Sequence, residues 1–267
     1  MTDSKSQIVE IKADGISISC LLRENDDETI VLIHGLGCCK ENFLGAFDCE
    51  RLKPYSLLAP DLPGFGDSDK PGDYSYSMQD QARLVAQVID RCCGGTFHLV
   101  AHSMGGIVGI ELAGLLPVRI SSFINVEGNL TDRDCTLSRT IAAMTEEEFI
   151  DGGFALFRQG LAMAVHGADN MAGEAYLKML EKADARAMYR SSVSTVRESD
   201  SGALLGRLTG LACATWYIYG EKNMGMFPAE KQLLEKGVPV KYIPESGHSP
   251  MDENPDAFYD LVFQLLQ

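Results

Sequence analysis

Leu99-Val100-Ala101-His102-Ser103-Met104-Gly105-Gly106 is the stretch that decides the fold. β-Prone Phe97, Leu99 and Val100 lead into it, and Ile107, Val108, Ile110, Leu112 and Ala113 lead out at helical spacing. The pattern is strand, sharp turn, helix. A serine at such a turn is pushed off the backbone line, with its hydroxyl exposed at the carboxyl end of a strand. Small residues at Ala101 and Gly105 let strand and helix pass closely. The Met104 amide, at the first helical position, points to where an oxyanion would form. An ordinary serine alcohol is a poor nucleophile, so the geometry is useful only beside a base and an anion-stabilising site.

Working outward, strands and helices alternate. Residues 7–12 and 16–22 predict a strand pair joined by Asp14-Gly15, a two-residue hairpin signal. Thr29-Ile30-Val31-Leu32-Ile33 is a continuous apolar run, expected of a strand buried on both faces. A helix is expected near 41–50 and a strand at 56–59. Ser77 starts a helix over 77–92. Strand 96–101, helix 104–115 and strand 120–126 follow. From 128 to 205 the spacing is helical throughout. Thr145 to Glu148 reads as a capping box, Gly152-Gly153 as a break, and 173–198 as continued helix. The earlier rhythm then resumes with strand 214–219, helix 228–236, strand 238–243 and helix 255–266. This predicts an α/β fold, a mostly parallel eight-stranded sheet with helices on both faces. Residues 1–127 and 206–267 form its core, and an all-helical cap, 128–205, is inserted over the strand ends.

The chain has 267 residues and a net charge of −15, spread along its length. Such acidity argues against nucleic-acid or anionic-membrane partners. The start, MTDSKSQIVEIKADG, has no apolar leader-like core, and no run reaches membrane-spanning length, so a cytoplasmic protein is expected. Eight cysteines lack CxxC or zinc-ligand spacing and read as reduced structural thiols, with a reactive thiol at Cys38 or Cys39 as the minority reading. No cofactor or metal motif is evident.

Three other loops share the serine's edge of the sheet. His248, in Pro244-Glu245-Ser246-Gly247-His248-Ser249-Pro250, follows the last strand and is the best base of five histidines. His34-Gly35-Leu36-Gly37 offers a second oxyanion donor, the Leu36 amide, beside that of Met104. Losing one such donor costs about 3 kcal/mol. Asp61-Leu62-Pro63-Gly64-Phe65-Gly66-Asp67-Ser68 reads as a rigid supporting turn, not a source of catalytic acid.

Together these motifs resemble the α/β-hydrolase superfamily over nearly the whole chain. The resemblance implies Ser103 as nucleophile, His248 as base, and the Leu36 and Met104 amides as oxyanion hole. Serine at the elbow argues against the dehalogenases and epoxide hydrolases of this fold, which place aspartate there. Ala101 stands where the elbow pattern has glycine. A larger departure lies at Tyr219-Gly220-Glu221-Lys222-Asn223, where the superfamily usually carries an aspartate and this chain has Asn223. An amide cannot stabilise an imidazolium by charge. Glu127, in Ile124-Asn125-Val126-Glu127-Gly128-Asn129, ends the adjacent strand and is the expected acid. Some superfamily members place theirs similarly. Glu221 and an incomplete triad are the alternatives.

The expected activity is hydrolysis of a small or medium carboxylic ester or lactone by a monomer or homodimer. A C–C bond hydrolase and a low-turnover ligand receptor on the same scaffold are the rivals. Phe149, Phe154, Phe157, Met144, Met163 and Met171 are expected mostly to pack, with one or two touching substrate. Arg139, Arg158, Arg186, Arg190 and Arg197 read as scattered exposed charges.

Overall fold

A computed structural model describes residues 5–25, 28–166 and 170–267. Its organising element is β3 (Thr29–Ile33), whose short apolar run has no polar face to give to water. It lies between β4 (Ser56–Pro60) and β5 (Phe97–His102), parallel to both, with Thr29 opposite Ser56 and Ile33 opposite Ala101. β6 (Ile120–Val126), β7 (Ala214–Gly220) and β8 (Val240–Ile243) extend the sheet in the same sense. On the other side β2 (Ile16–Arg23) runs antiparallel to β4 and pairs with β1 (Gln7–Ala13). The order is β1-β2-β4-β3-β5-β6-β7-β8. Asp14 and Gly15 between β1 and β2 have φ of 48° and 81°, the left-handed pair that a two-residue hairpin requires.

Alternation along each strand divides the interior in two. Val31, Ile33, Leu99, Ala101 and Phe123 face α2 (Met78–Cys92) and α3 (Met104–Leu115). Ile30, Leu32, Val100 and Ile124 face the opposite layer, where Ala46 and Phe47 meet Phe258 and Val262 near the C-terminus. α3 is apolar apart from Glu111, which pairs with Arg207, as its near-complete enclosure requires. Burying each large aliphatic or aromatic side chain contributes roughly 1.5–3 kcal/mol, so these two layers dominate stability.

The expected helix near 41–50 is broken. A 3₁₀ turn at Lys40–Phe43 leads into the short α1 (Leu44–Asp48), and another 3₁₀ turn covers Glu50–Leu52. The cause is tertiary: Lys40 and Asn42 are buried, and Gly45 passes so close to Tyr259 that a Cβ would stand 2.5 Å from its ring. Among the described residues between β6 and β7 only helices occur: α4 (Thr136–Ala142), α5 (Glu146–Glu148), α6 (Phe154–His166), α7 (Met171–Leu180), α8 (Ala185–Asp200) and α9 (Leu204–Thr209). The Thr145–Glu148 capping box forms, and Gly152 interrupts the helix within a π turn. The continuous helix expected over 173–198 is instead two helices, because Asp184 caps a fresh start through its side chain and the Ala187 amide. α8 is serine-rich where buried. Ser194 accepts from the Met78 amide at 3.1 Å and so caps α2, and Ser191 accepts from Gln81 at 3.2 Å.

After β7 come α10 (Pro228–Glu235), β8, α11 (Pro250–Glu253) and α12 (Pro255–Leu265). β8 starts at Val240 rather than 238, since Val238 still bonds back to Leu233. No described helix is long and apolar enough to cross a membrane.

Candidate active site

Ser103 sits between β5 and α3 with φ 54° and ψ −123°, a strained turn that lifts its side chain from the backbone line. Its neighbours explain how the turn is held. The Ser103 amide donates to Val126 O at 2.9 Å. A Cβ on Gly105 would lie 2.5 Å from His34 O and 2.7 Å from Ile33 O, so only glycine lets α3 start against β3. Ala101 in place of glycine is accommodated because Gly109 faces it across the helix; a Cβ there would stand 3.3 Å from Ala101 Cβ.

His248 approaches from the turn after β8, its Nε2 3.1 Å from Ser103 Oγ. Its other nitrogen, Nδ1, lies 3.5 Å from Glu127 Oε2. Glu127 follows β6 with φ 49°, and its carboxylate is buried. The second oxygen, Oε1, accepts from the Gly220 amide at 2.7 Å and from Asn223 Nδ2 at 3.0 Å. Thus Ser103, His248 and Glu127 meet. Glu221 is turned elsewhere, accepting from the Glu245 amide at 3.1 Å.

The His34-Gly35-Leu36-Gly37 loop closes over the same point. A Cβ on Gly35 would stand 3.0 Å from Ser103 Cβ, so the loop backbone packs directly on the serine. Gly37 has φ 73°, and Tyr176 of α7 donates its hydroxyl to Leu36 O at 3.1 Å. Met104 opens α3, so its amide has no acceptor within its own helix. Among the described residues nothing accepts from the Leu36 amide either.

Two further histidines prove structural. His34 donates from Nδ1 to Gly35 O at 2.8 Å and accepts the Leu62 amide at Nε2, 2.9 Å away. Only the neutral ring can do both, and burial accordingly lowers its pKa. His102 donates from Nε2 to His248 O at 2.8 Å, tethering the His248 turn to the elbow. Burial, then the nearby His248 ring, lowers its pKa to about 3. Glu253 steadies the same turn by accepting from the Gly247 and Ser249 amides at 2.9 and 3.1 Å. His98 bonds Ser122 and Glu28 at the far end of β5, and His166 pairs with Glu174.

The Asp61–Ser68 turn carries an ion network. Lys40, 2% exposed, places Nζ 2.7 Å from Asp61 and 2.6 Å from Asp67. Lys182, between α7 and α8, reaches Glu41 at 2.9 Å and Asp67 at 3.3 Å, linking the helical insert to these loops. Cys39, Glu41 and Asp61 also converge, but Lys40 occupies the space a cation would need. All eight cysteines are free thiols, and burial raises the pKa of Cys38 and Cys39 far above the range of a reactive thiolate.

A cavity of about 340 Å³ opens over Ser103 and His248. Leu36, Cys135, Leu137, Tyr176 and Phe227 supply apolar wall, with Asn129 and Asp134 at its polar margin. Most of the six phenylalanines and methionines pack, as expected, but the one or two expected to touch substrate are not found, for none of the six lines the cavity. Phe149 is core, Phe154, Phe157 and Met144 pack against that core, and Met163 and Met171 face solvent. Besides Leu36 and Phe227, the wall comes from the start of α4 and from Ala172, Gly173 and Tyr176 of α7, which the spacing of apolar residues does not single out from the rest of these helices. Of the five arginines expected to be exposed charges, Arg139 and Arg197 are exposed, whereas Arg158, Arg186 and Arg190 are half-buried. Arg186 and Arg190 converge on Glu146, Arg190 reaches Tyr74 O at 2.8 Å, and Arg139 pairs with Asp200.

The sequence model of the alpha/beta hydrolase family matches residues 30–261. The chain belongs to this family. Among curated relatives of this alpha/beta hydrolase, Lipase 3 of Moraxella sp. (strain TA144) is 36% identical over 103 residues, 37% of this chain and 32% of that one. The putative carbamate hydrolase RutD of Variovorax paradoxus is 33% identical over 101 residues, 38% of each chain. The chain thus spans about a third of the length of the curated relatives it matches. Its fold is shared with a thermophilic esterase from Thermogutta terrifontis, at TM-score 0.79, 20% identity and coverage of 97% and 98%. The N-acyl homoserine lactonase AidH, complexed with N-hexanoyl homoserine, matches at TM-score 0.76 and 19% identity, covering 98% and 96%.

Proposed function

We propose that this alpha/beta hydrolase cleaves a small or medium carboxylic ester or lactone through an acyl-enzyme on Ser103. The reading rests on one observation: the chain of contacts from Ser103 Oγ through His248 to a buried Glu127, at 3.1 and 3.5 Å. His248 Nε2 takes the hydroxyl proton as Ser103 Oγ attacks the carbonyl carbon. Glu127 receives the Nδ1–H and stabilises the imidazolium. The Leu36 and Met104 amides, both without acceptors among the described residues, bind the oxyanion. As the tetrahedral intermediate collapses, His248 returns the proton to the leaving alkoxide. Water, deprotonated by His248, then attacks the acyl-enzyme and frees the acid and Ser103. A lactone follows the same course, except that its alkoxide stays tethered to the acyl group.

Residues 128–205 act in this reading as a cap on a core of 1–127 and 206–267. The cavity volume suits a modest acyl or alcohol group. The esterase and lactonase that share this fold support the substrate class.

Fluorophosphonate labelling with intact-mass and peptide mapping tests the nucleophile. A single adduct is expected on Ser103 and none on Ser103→Ala. Hydrolysis of short p-nitrophenyl esters and γ-lactones should disappear in the same variant. A folded wild-type protein that takes no label would overturn the proposal.

A further inference from the structure

Asn223 stands where a triad aspartate would be expected, in the turn after β7, yet its side chain is engaged. The 3₁₀ turn Glu221–Asn223 points Nδ2 at Glu127 Oε1, 3.0 Å away. An ionised carboxylate only accepts hydrogen bonds, so the amide nitrogen, not the oxygen, faces it. The Gly220 amide donates to the same oxygen at 2.7 Å. With Oε1 held by two donors, Oε2 is left for His248 Nδ1. Asn223 does not line the cavity, and the contact of its side chain toward the site is with Glu127.

Resting on the triad reading above, we infer that Asn223 is a positioning residue, which fixes the Glu127 carboxylate in the orientation that serves His248. The position has exchanged the role of acid for that of donor to the acid. The exchange is one of charge as well as geometry. An aspartate here would set two carboxylates about 3 Å apart, and like charges so close cannot both ionise freely.

Two variants read this out. Asn223→Asp keeps the size and the fold while replacing the donor by a second acid. At pH values where both carboxylates ionise, the added negative charge favours the imidazolium. The acidic limb of kcat/KM should therefore move up by about one pH unit. Asn223→Leu removes the donor without adding charge, and kcat should fall about tenfold at unchanged KM. The other ionisable groups around the site, His102, Glu253, Asp134, Tyr217 and Tyr219, are the same in both variants. A residue that merely shaped the turn would lower Tm along with kcat in Asn223→Leu, and its loss of kcat would persist in the Glu127→Gln background.

An acidic limb unmoved in Asn223→Asp, or wild-type kcat in folded Asn223→Leu, would overturn the inference. Glu127→Gln separates this failure from that of the triad. If Glu127→Gln is inactive while both Asn223 variants behave as wild type, only the role of Asn223 is lost. If Glu127→Gln is itself fully active, the triad reading fails first. In the Glu127→Gln background, Asn223→Leu should add no further loss of kcat, as expected when one residue acts through the other.

Discussion

Glu127→Gln is the most informative single change, because the surrounding hydrogen bonds dictate how the new amide must lie. Gly220 N and Asn223 Nδ2 both donate to Oε1, at 2.7 and 3.0 Å. The glutamine keeps its carbonyl oxygen there, since flipping it would leave two donors facing an NH₂ group, at roughly 1–3 kcal/mol for each one left unsatisfied. The NH₂ then faces His248 Nδ1, where Oε2 had been 3.5 Å away. Two N–H groups cannot bond, so the imidazole adopts the tautomer with its lone pair on Nδ1 and its proton on Nε2. That nitrogen lies 3.1 Å from Ser103 Oγ and can no longer accept the hydroxyl proton. A wrong tautomer of this kind costs about 10⁴ in kcat, or ~5 kcal/mol of barrier. The isosteric change should leave thermal unfolding nearly unaltered. The assay is steady-state p-nitrophenyl ester hydrolysis, normalised to sites labelled by fluorophosphonate under forcing conditions. A folded variant that loses less than tenfold in kcat would refute the argument, including the assignment of the acid.

Two predictions concern the scaffold. His102 is buried and neutral with its pKa lowered to about 3 from 6.5, so the unfolded chain takes up a proton that the folded one refuses. Its contribution is complete above about pH 6.5 and lost progressively as pH falls towards 3, amounting to about 2 kcal/mol by pH 5. Burial pushes Asp252 up to about 7, which acts in the opposite sense over the same range. The test is therefore the urea stability difference between wild type and His102→Gln, which should shrink by about 2 kcal/mol from about pH 7.5 to about pH 5. A constant difference would contradict it. Lys40→Met should destabilise by ~3–5 kcal/mol, because it leaves Asp61, fully buried, without its cation. Calorimetry should show a fall in Tm of about 10 °C, largely recovered in Lys40→Met/Asp61→Asn. An unchanged Tm in Lys40→Met would mean the pair contributes no more than an exposed one.

The sequence carried the sheet well because its strands are short, β-prone segments that are hairpin-linked at the start and alternate with helices after that. Ile120–Val126 and Met104–Leu115 begin and end where the pattern says, the second because Pro117 and the elbow bound it. Expectations failed where tertiary contact overrode local propensity. Tyr259 against Gly45 breaks up the first helix, and the Asp184 cap divides what spacing alone joins. The convergence of Ser103, His248 and Glu127 was legible because each lies beyond the carboxyl end of a parallel strand. The tethers were not. His102 to His248 O and Tyr176 to Leu36 O span about 146 and 140 residues of sequence, and no periodicity encodes such a pair. Asn223 was visible as an amide where an acid is usual, but its bond to Glu127 was not, since residue type alone names no partner.

The two possible sites for the acid, after β6 and after β7, are less different in space than in sequence. β6 and β7 are adjacent and parallel, with Val126 opposite Ile218, and the Glu127 amide continues the pairing by donating to Ile218 O at 2.9 Å. The end of β7 in turn abuts the His248 turn so closely that a Cβ on Gly220 would stand 2.1 Å from Gly247 O. One point beside His248 Nδ1 is therefore within reach of either strand end. In the proposed mechanism the imidazole requires a fixed negative charge at that point, and the strand that supplies it is immaterial. When β6 supplies the carboxylate, the neighbouring turn is free to supply hydrogen-bond donors, and Gly220 and Asn223 do so. A second acid there would compete for the same proton, so the amide at 223 and the acid at 127 are one arrangement, and neither is explained without the other.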